Sequence, residues 1–346
     1  MSDNDVVVAL DVGGTAMKCA LIGPDGTVRH AERHPTDAGR GPEAVTGTIL
    51  DVAAGLADRA RAEGLTPVAA GVAVPGVVDE AAGVAVWSSN VGFRDVPLRD
   101  LVSGRLGLPA VIGHDVRVGG VAEARVGAGR GVRHVLFVAI GTGIAAAHVV
   151  DGRAYPGAHG AAGELGHVVV RPGGPDCGCG ACGCLESLAS ASAIARRYAS
   201  LAPASGRLTA AEIAVRAAAG EPLAAEVWRD AVAALADGLV IAQALYDAEL
   251  VVLGGGLAEA GEALLAPLRD AVARGVTFHH PPRLARAALG DSAGCRGAAL
   301  LALDAVARPR SDARPPAPVA PAAPAPVAPA AAAPGMDPRL APGSAA

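Results

Sequence analysis

Twice in this chain a short apolar run stops at a glycine turn and a second apolar run follows at once. Val6 to Leu10 leads through Asp11-Val12-Gly13-Gly14-Thr15 to Lys18–Ile22, with Gly23–Gly26 (GPDG) as the next turn. Val135 to Ile140 leads through Gly141-Thr142-Gly143 to Ile144–Val150, with Asp151-Gly152 after it. Such runs bounded by glycine turns read as hairpin strands. Their recurrence within 346 residues points to a duplicated α/β fold, with one glycine loop from each half facing a central cleft.

The remaining elements fill in that frame. Pro42 to Glu63 carries Val45, Ile49, Val52 and Leu56 on one helical face, with Gly64 as a stop. Strands are expected at Val68–Val74, Val84–Trp87 and Ala110–Ile112. A helix opens at Pro97, and a helix of small residues runs from Asp115 to about Val126. Later helices are expected at Leu185–Ala199, Ala210–Ala219, Leu223–Tyr246, Gly261–Ala273 and Ala293–Val306, with a strand at Leu250–Leu253 before Gly254-Gly255-Gly256. The division expected is 1–112 for the first half, completed by a C-terminal helix at about 293–307, and 113–292 for the second. Residues 308–346 are Pro/Ala repeats with little charge and are expected to be a disordered extension.

Aromatic residues are only 2% of the chain, so the core has to be built from Val, Leu, Ile and Ala. Net charge is −5 with both signs interspersed, and no basic stripe suggests nucleic acid or a membrane surface. The N-terminus turns straight into a strand without a signal-peptide core, and no apolar run is long enough to span a bilayer. A cytoplasmic protein with reduced thiols is expected.

Four of the six cysteines fall between Cys177 and Cys184, in CGCGACGCLE. Thiolates at this density suit tetrahedral zinc, with Gly178, Gly180 and Gly183 letting the backbone wrap around an ion. Disulfides are a rival reading that adjacent C-x-C pairs make awkward, and an iron–sulfur cluster is a third. Upstream, GAAGELGH places Glu164 and His167 three residues apart among glycines.

The glycine loops lack the Walker A and dinucleotide-binding spacings. Backbone N–H groups of Gly13 and Gly14, with the Thr15 hydroxyl, can still meet phosphate oxygens, and Asp11 can hold a magnesium shell or its waters. Gly141–Gly143 and Gly254–Gly256 would serve likewise. Asp115 follows a short strand and opens a helix. A cap explains it without function, and a general base for phosphoryl transfer uses the same exposed position.

GAHGAAGELGH (Gly157–His167) followed by CGCGACGCLE resembles the ROK family of sugar kinases and repressors, and in particular its bacterial glucokinases. The resemblance runs from DVGGT to about Val306. It implies an actin-like, ribonuclease H-like two-domain kinase fold with sugar in the cleft, ATP and Mg2+ as co-substrate and cofactor, and a homodimer or higher homo-oligomer. Asp115 falls at the family's catalytic aspartate. Gly76, Asn90, Glu164, His167 and Glu186 fall at or beside sugar contacts, and His114 stands where the family has a sugar-contacting Asn. The nucleotide loops fall at Asp11–Thr15 with Lys18, at Gly141–Gly143 and at Gly254–Gly256. The implied zinc ligands are His167, Cys177, Cys179 and Cys184, in a loop spanning 167–186, with Cys182 at a variable position. A second departure is Ala145-Ala146-Ala147, where the family continues with glycines whose absence would crowd phosphate.

The expected activity is ATP-dependent phosphorylation of a hexose, glucose first, with N-acetylmannosamine and other hexoses as alternatives. A non-catalytic sugar-sensing regulator is a further reading. Regulators of this family carry a helix-turn-helix ahead of the kinase-like body, and DVGGT at Asp11 leaves no room for one.

Overall fold

The computed structural model describes residues 1–307, so the Pro/Ala extension at 308–346 lies outside the described residues. Strands β1 (Asp5–Val12), β2 (Ala16–Ile22) and β3 (Val28–Pro35) form an antiparallel meander. Helix α1 (Pro42–Ala62) crosses to β4 (Thr66–Val74), which pairs parallel to β1. A small antiparallel sheet of β5 (Val77–Asp79), β6 (Val84–Trp87) and β7 (Arg94–Val96) comes next, then α2 (Leu98–Leu106) and β8 (Ala110–His114), parallel to β4.

Helix α3 (Asp115–Val126) carries the chain into its second half. There β9 (His134–Ile140), β10 (Ile144–Val150) and β11 (Arg153–Ala154) form another antiparallel meander. Four helices follow: α4 (Leu185–Ala189), α5 (Ala191–Leu201), α6 (Ala210–Ala218) and α7 (Pro222–Tyr246). The described residues end with β12 (Leu250–Gly254) parallel to β9, α8 (Glu262–Gly275), β13 (Arg283–Arg286) parallel to β12, and α9 (Ala293–Ala307). The two five-stranded sheets run β3-β2-β1-β4-β8 and β11-β10-β9-β12-β13. Order and strand sense match position for position, so the repeated glycine hairpin marks a duplicated sheet.

The central strands explain the continuous apolar runs. β1 and β4 are covered on both faces, which removes the polar alternation of a half-exposed strand. On one face of the first sheet Val6, Val8, Leu10 and Val72 meet Ile49, Leu56 and Phe93. On the other, Val7, Ala9, Ala69 and Ala73 meet Cys295, Ala298, Ala299 and Ala302 of α9 and Val118 of α3. Small residues on both sides let the helices lie close to the sheet, which is how a chain poor in aromatics fills its core.

Several expected elements take a different form. The helix expected over Leu185–Ala199 is broken at Ser190, whose hydroxyl accepts the Ala193 N–H at 3.1 Å and starts α5 afresh. The strands β3, β5, β7, β11 and β13 were not expected. β3 is a charged edge, RHAERH, and β13 is only RLAR, so neither shows an apolar period. Ala145–Ala147 belong to β10 rather than to the glycine turn. Ala146 and Ala147 are buried in two different cores, so those two methyls do not crowd phosphate.

Glu123 fastens the end of α3. Fully buried, it accepts the Ala128 and Ala288 N–H groups through Oε2 at 2.9 and 3.1 Å, and that of Leu289 through Oε1 at 2.8 Å. Glu123→Ala leaves three donors without this acceptor and is expected to cost about 3 kcal/mol or more in chemical denaturation. A loss below about 1 kcal/mol would show that water replaces the carboxylate.

Candidate active site and metal centre

Asp115 is the first residue of α3, and its Oδ1 accepts the Val116 N–H at 2.7 Å. Its side chain keeps 30% of its exposure. Burial pushes the Asp115 carboxyl up to about 7, and the nearby Asp11 and Glu164 carboxylates push the same way. The Val116 N–H and the Arg117 guanidinium pull it down. Asp115, Asp11 and Glu164 are thus brought into one electrostatic neighbourhood from α3, β1 and the loop after β11. A carboxyl that titrates near neutrality suits a general base.

His114 packs directly behind Asp115. It is 7% exposed and is the N-cap of α3, with Nδ1 accepting the Arg117 N–H at 3.4 Å and Nε2 3.5 Å from Asp115 Oδ1. Burial, then the Arg117 charge, hold its imidazole down at about 3, so the ring is neutral. Nδ1 thus faces the helix backbone and Nε2 faces the Asp115 carboxyl.

Asp11 lies at the end of β1 beside the first glycine turn. Its Oδ2 is 3.9 Å from Lys18 Nζ, which is also 3.2 Å from Asp291. Burial raises the Asp11 carboxyl and Lys18 opposes the rise. Gly13 donates to the Ala16 carbonyl, while buried Thr36 clamps the turn by donating to the Gly13 carbonyl at 2.6 Å. Thr15 accepts the Thr36 N–H through its carbonyl. A Cβ built on Gly14 would lie 3.4 Å from Asn90 Cβ, so Asn90 stands beside this turn. Gly76 links β4 to β5 at φ +99°, where a Cβ would strike the Trp87 carbonyl oxygen at 2.2 Å.

The second turn is pinned from the far side. The Gly141 carbonyl accepts the Ala191 N–H at 2.9 Å, and the Ser192 hydroxyl donates to the Thr142 carbonyl. Glu186 Oε2 accepts the Ile144 N–H at 2.9 Å, directly under Gly143. Glu186 therefore ties the metal loop to the glycine turn. The third glycine segment joins them, since a Cβ on Gly255 would lie 2.5 Å from the Ile140 carbonyl oxygen; Gly254 and Gly256 flank it.

The metal centre draws on 167–184. One donor atom from each of His167, Cys177, Cys179 and Cys184 lies within 4.8 Å of the others. His167 Nδ1 is 3.6 Å from Cys177 Sγ, and Cys179 Sγ is 3.7 Å from Cys184 Sγ. Tetrahedral zinc, with bonds of about 2.3 Å to sulfur and about 2.05 Å to nitrogen, sets S···N edges of about 3.6 Å and S···S edges of about 3.8 Å. The donor set fits zinc, with every position supplied by protein. Cys182 stands apart, donating to Asp176 Oδ1 at 3.2 Å. Of the three glycines expected to wrap the ion, Gly180 and Gly183 take positive φ, whereas Gly178 lies in open space and does not need to be glycine. His167 Nε2 faces outward, 3.9 Å from Glu164 Oε2.

The model of the ROK family matches residues 7–305. The chain belongs to the ROK family. Among its ROK relatives, N-acetylmannosamine kinase of Escherichia coli is 32% identical over 299 residues, covering 85% of this chain and 97% of that one. The ROK hexokinase of Thermus thermophilus is similar in structure, with a TM-score of 0.77 and 34% identity over 87% of this chain and 99% of its own. A ROK glucokinase from Streptomyces griseus, in complex with glucose and AMPPNP, gives a TM-score of 0.74 and 29% identity over 86% and 99%. The fold is accordingly the actin-like, ribonuclease H-like two-domain kinase fold of ROK sugar kinases.

Several residues of the site escaped the sequence reading. Thr36, Glu80, Asp291 and Ser192 carry no motif. Nor does Arg117 stand out, since it shares its helix with a second arginine, Arg125. Metal analysis of purified protein is expected to find about one zinc per chain, lost in Cys184→Ser and kept in Cys182→Ser. Equal zinc in both variants would contradict the assignment.

Proposed function

We propose that this chain transfers the γ-phosphoryl group of ATP to a hexose, with glucose as the first choice and Asp115 as general base. The observation that carries this reading is the Asp115 carboxyl at the start of α3, held near neutrality between Asp11 and Glu164. The carboxylate takes the proton of the 6-hydroxyl as that oxygen bonds to the γ-phosphorus. The bond from phosphorus to the bridging oxygen of ADP breaks in line with it. N-acetylmannosamine is the second reading, favoured by the 32% identity to a kinase of that name.

Glu164, His167 and Glu186, with Asn90 and the Gly76 loop opposite, bind the sugar hydroxyls. His114 acts behind them by capping the helix that bears Asp115. The turns at Gly13–Thr15, Gly141–Gly143 and Gly254–Gly256 cradle the nucleotide phosphates through backbone N–H groups. Magnesium, bound with the nucleotide, supplies positive charge to the phosphates. Asp11 would hold that ion or its waters, since it is a desolvated carboxylate that Lys18 offsets only from 3.9 Å. Residues 1–112 with 293–307 form one half, 113–292 the other, and closure of the two excludes water from the transfer. Zinc at His167, Cys177, Cys179 and Cys184 is structural, because no ligand position is left open to substrate.

Among the described residues no helix is long and apolar enough to cross a membrane. We place the enzyme in the cytoplasm, where ATP and reduced thiols are both available, acting as a homodimer or higher homo-oligomer.

A coupled assay with Mg-ATP across a sugar panel, comparing glucose with N-acetylmannosamine first, tests the activity. Asp115→Asn is expected to lower kcat by at least about 100-fold while sugar still binds. Near-normal turnover in that variant would sink the mechanism. The base must be ionised to act, so wild-type rate is expected to fall as pH drops through about 7. A flat profile from pH 5 to 8 would contradict it.

A further inference from the structure

Arg117 is 3% exposed, deep beneath the site, yet none of the proposed contacts to sugar or nucleotide uses it. Its Nε donates to Glu80 Oε1 at 3.0 Å, and its Nη1 donates to the Gly160 carbonyl at 2.7 Å. Nη2 lies 3.0 Å from the same Glu80 oxygen but makes no well-aligned hydrogen bond among the described residues. Glu80 Oε1 also accepts the His114 N–H at 3.4 Å. One guanidinium therefore joins three segments. The first is the start of α3, which bears Asp115. The second is the β5–β6 turn, in the small sheet between Gly76 and Asn90. The third is the glycine loop that leads from Gly160 to Glu164 and His167.

A buried ion pair is weak support for stability, because desolvation offsets most of the attraction and an apolar side chain of similar volume does as well. What an apolar side chain cannot do is grip a carboxylate and a backbone carbonyl together in fixed geometry. The Gly160 loop already lies against β5, since a Cβ there would sit 2.5 Å from the Val78 carbonyl oxygen.

Building on the kinase reading, we propose that Arg117 is a positioning residue that clamps the Gly160 loop to Glu80, holding Glu164 and His167 at a set distance from Asp115 before sugar arrives. The sugar pocket is then organised in advance, and binding energy is not spent on ordering the loop. Among the described residues the hydrogen bonds of Arg117 and Glu80 go to none of the nucleotide turns, so loss of the clamp should fall on the sugar side.

Arg117→Met tests this in the full-length, zinc-loaded enzyme. The expected result is a roughly tenfold to hundredfold rise in KM for sugar, with KM for ATP changed by less than about twofold and thermal stability maintained. Arg125→Met is the control, because Arg125 pairs with Asp304 from the other end of the same helix and should leave both constants unchanged.

A second readout is the pH profile. Asp115 is faced by Asp11 from β1, His114 beside it, Glu164 from the loop and Arg117 from its own helix. Removing the only cation of that set should move the acid limb of kcat/KM to higher pH. Should Arg117→Met fail to fold, Glu80→Gln carries the test with an expected severalfold rise in sugar KM alone.

An unchanged sugar KM in a folded Arg117→Met enzyme, or equal rises for sugar and ATP, overturns the clamp and leaves the kinase reading standing. Wild-type protein with no turnover on any hexose overturns both.

Discussion

His167 stands where two kinds of chemistry meet. Its Nδ1 is 3.6 Å from Cys177 Sγ and its Nε2 is 3.9 Å from Glu164 Oε2. A ring whose Nδ1 is committed to a metal centre must carry its proton on Nε2, so the outward face becomes a fixed hydrogen-bond donor. An unligated imidazole on a half-exposed loop would sample both tautomers and several orientations. A metal held by the cysteines and Nδ1 would thereby fix the outward face of His167. Glu186 extends the constraint, because it leaves the same loop to hold the Ile144 N–H beneath the second glycine turn.

Helix α3 does comparable work for the other half of the site. Its first turn bears Asp115, the N-cap His114 supports it, and Arg117 reaches from it to Glu80 and Gly160. Its last turn is anchored through Glu123 to the Ala288–Leu289 backbone, just before Asp291, which pairs with Lys18. The helix lies beside both five-stranded sheets and against α9. The position of the carboxyl therefore depends on contacts from both five-stranded sheets, α9 and the loops at Gly160 and Ala288. Two effects oppose each other at that carboxyl. Burial and the neighbouring carboxylates raise it, while the helix N-terminus and Arg117 favour the anion. Burial wins, which leaves the group titrating near neutrality.

Much of this was legible in advance, for identifiable reasons. The glycine hairpins were readable because β1, β2, β9 and β10 are buried strands whose apolar runs stop at Gly13 and Gly141. The grouping of His167 with Cys177, Cys179 and Cys184 came from the family resemblance, and the structure brings one donor atom from each within 4.8 Å of the others. The edge strands β3 and β13 were not readable, since edges carry charge instead of an apolar period. The capping role of His114 was not legible, because it depends on tertiary burial around the imidazole. Arg117, Glu80 and Thr36 were invisible because their partners are distant in sequence and two of the contacts are to backbone carbonyls, which leave no side-chain signature.

The proposed dependence of sugar binding on the metal loop is the point on which these observations converge. It is tested most directly by stripping zinc from the purified enzyme with a chelator and measuring KM for sugar and for ATP before and after zinc is restored. The expected result is a rise of at least about tenfold in the sugar constant on metal loss, little change for ATP, and recovery with zinc. Complete metal removal with an unchanged KM for sugar would contradict the link between the cysteine loop and His167.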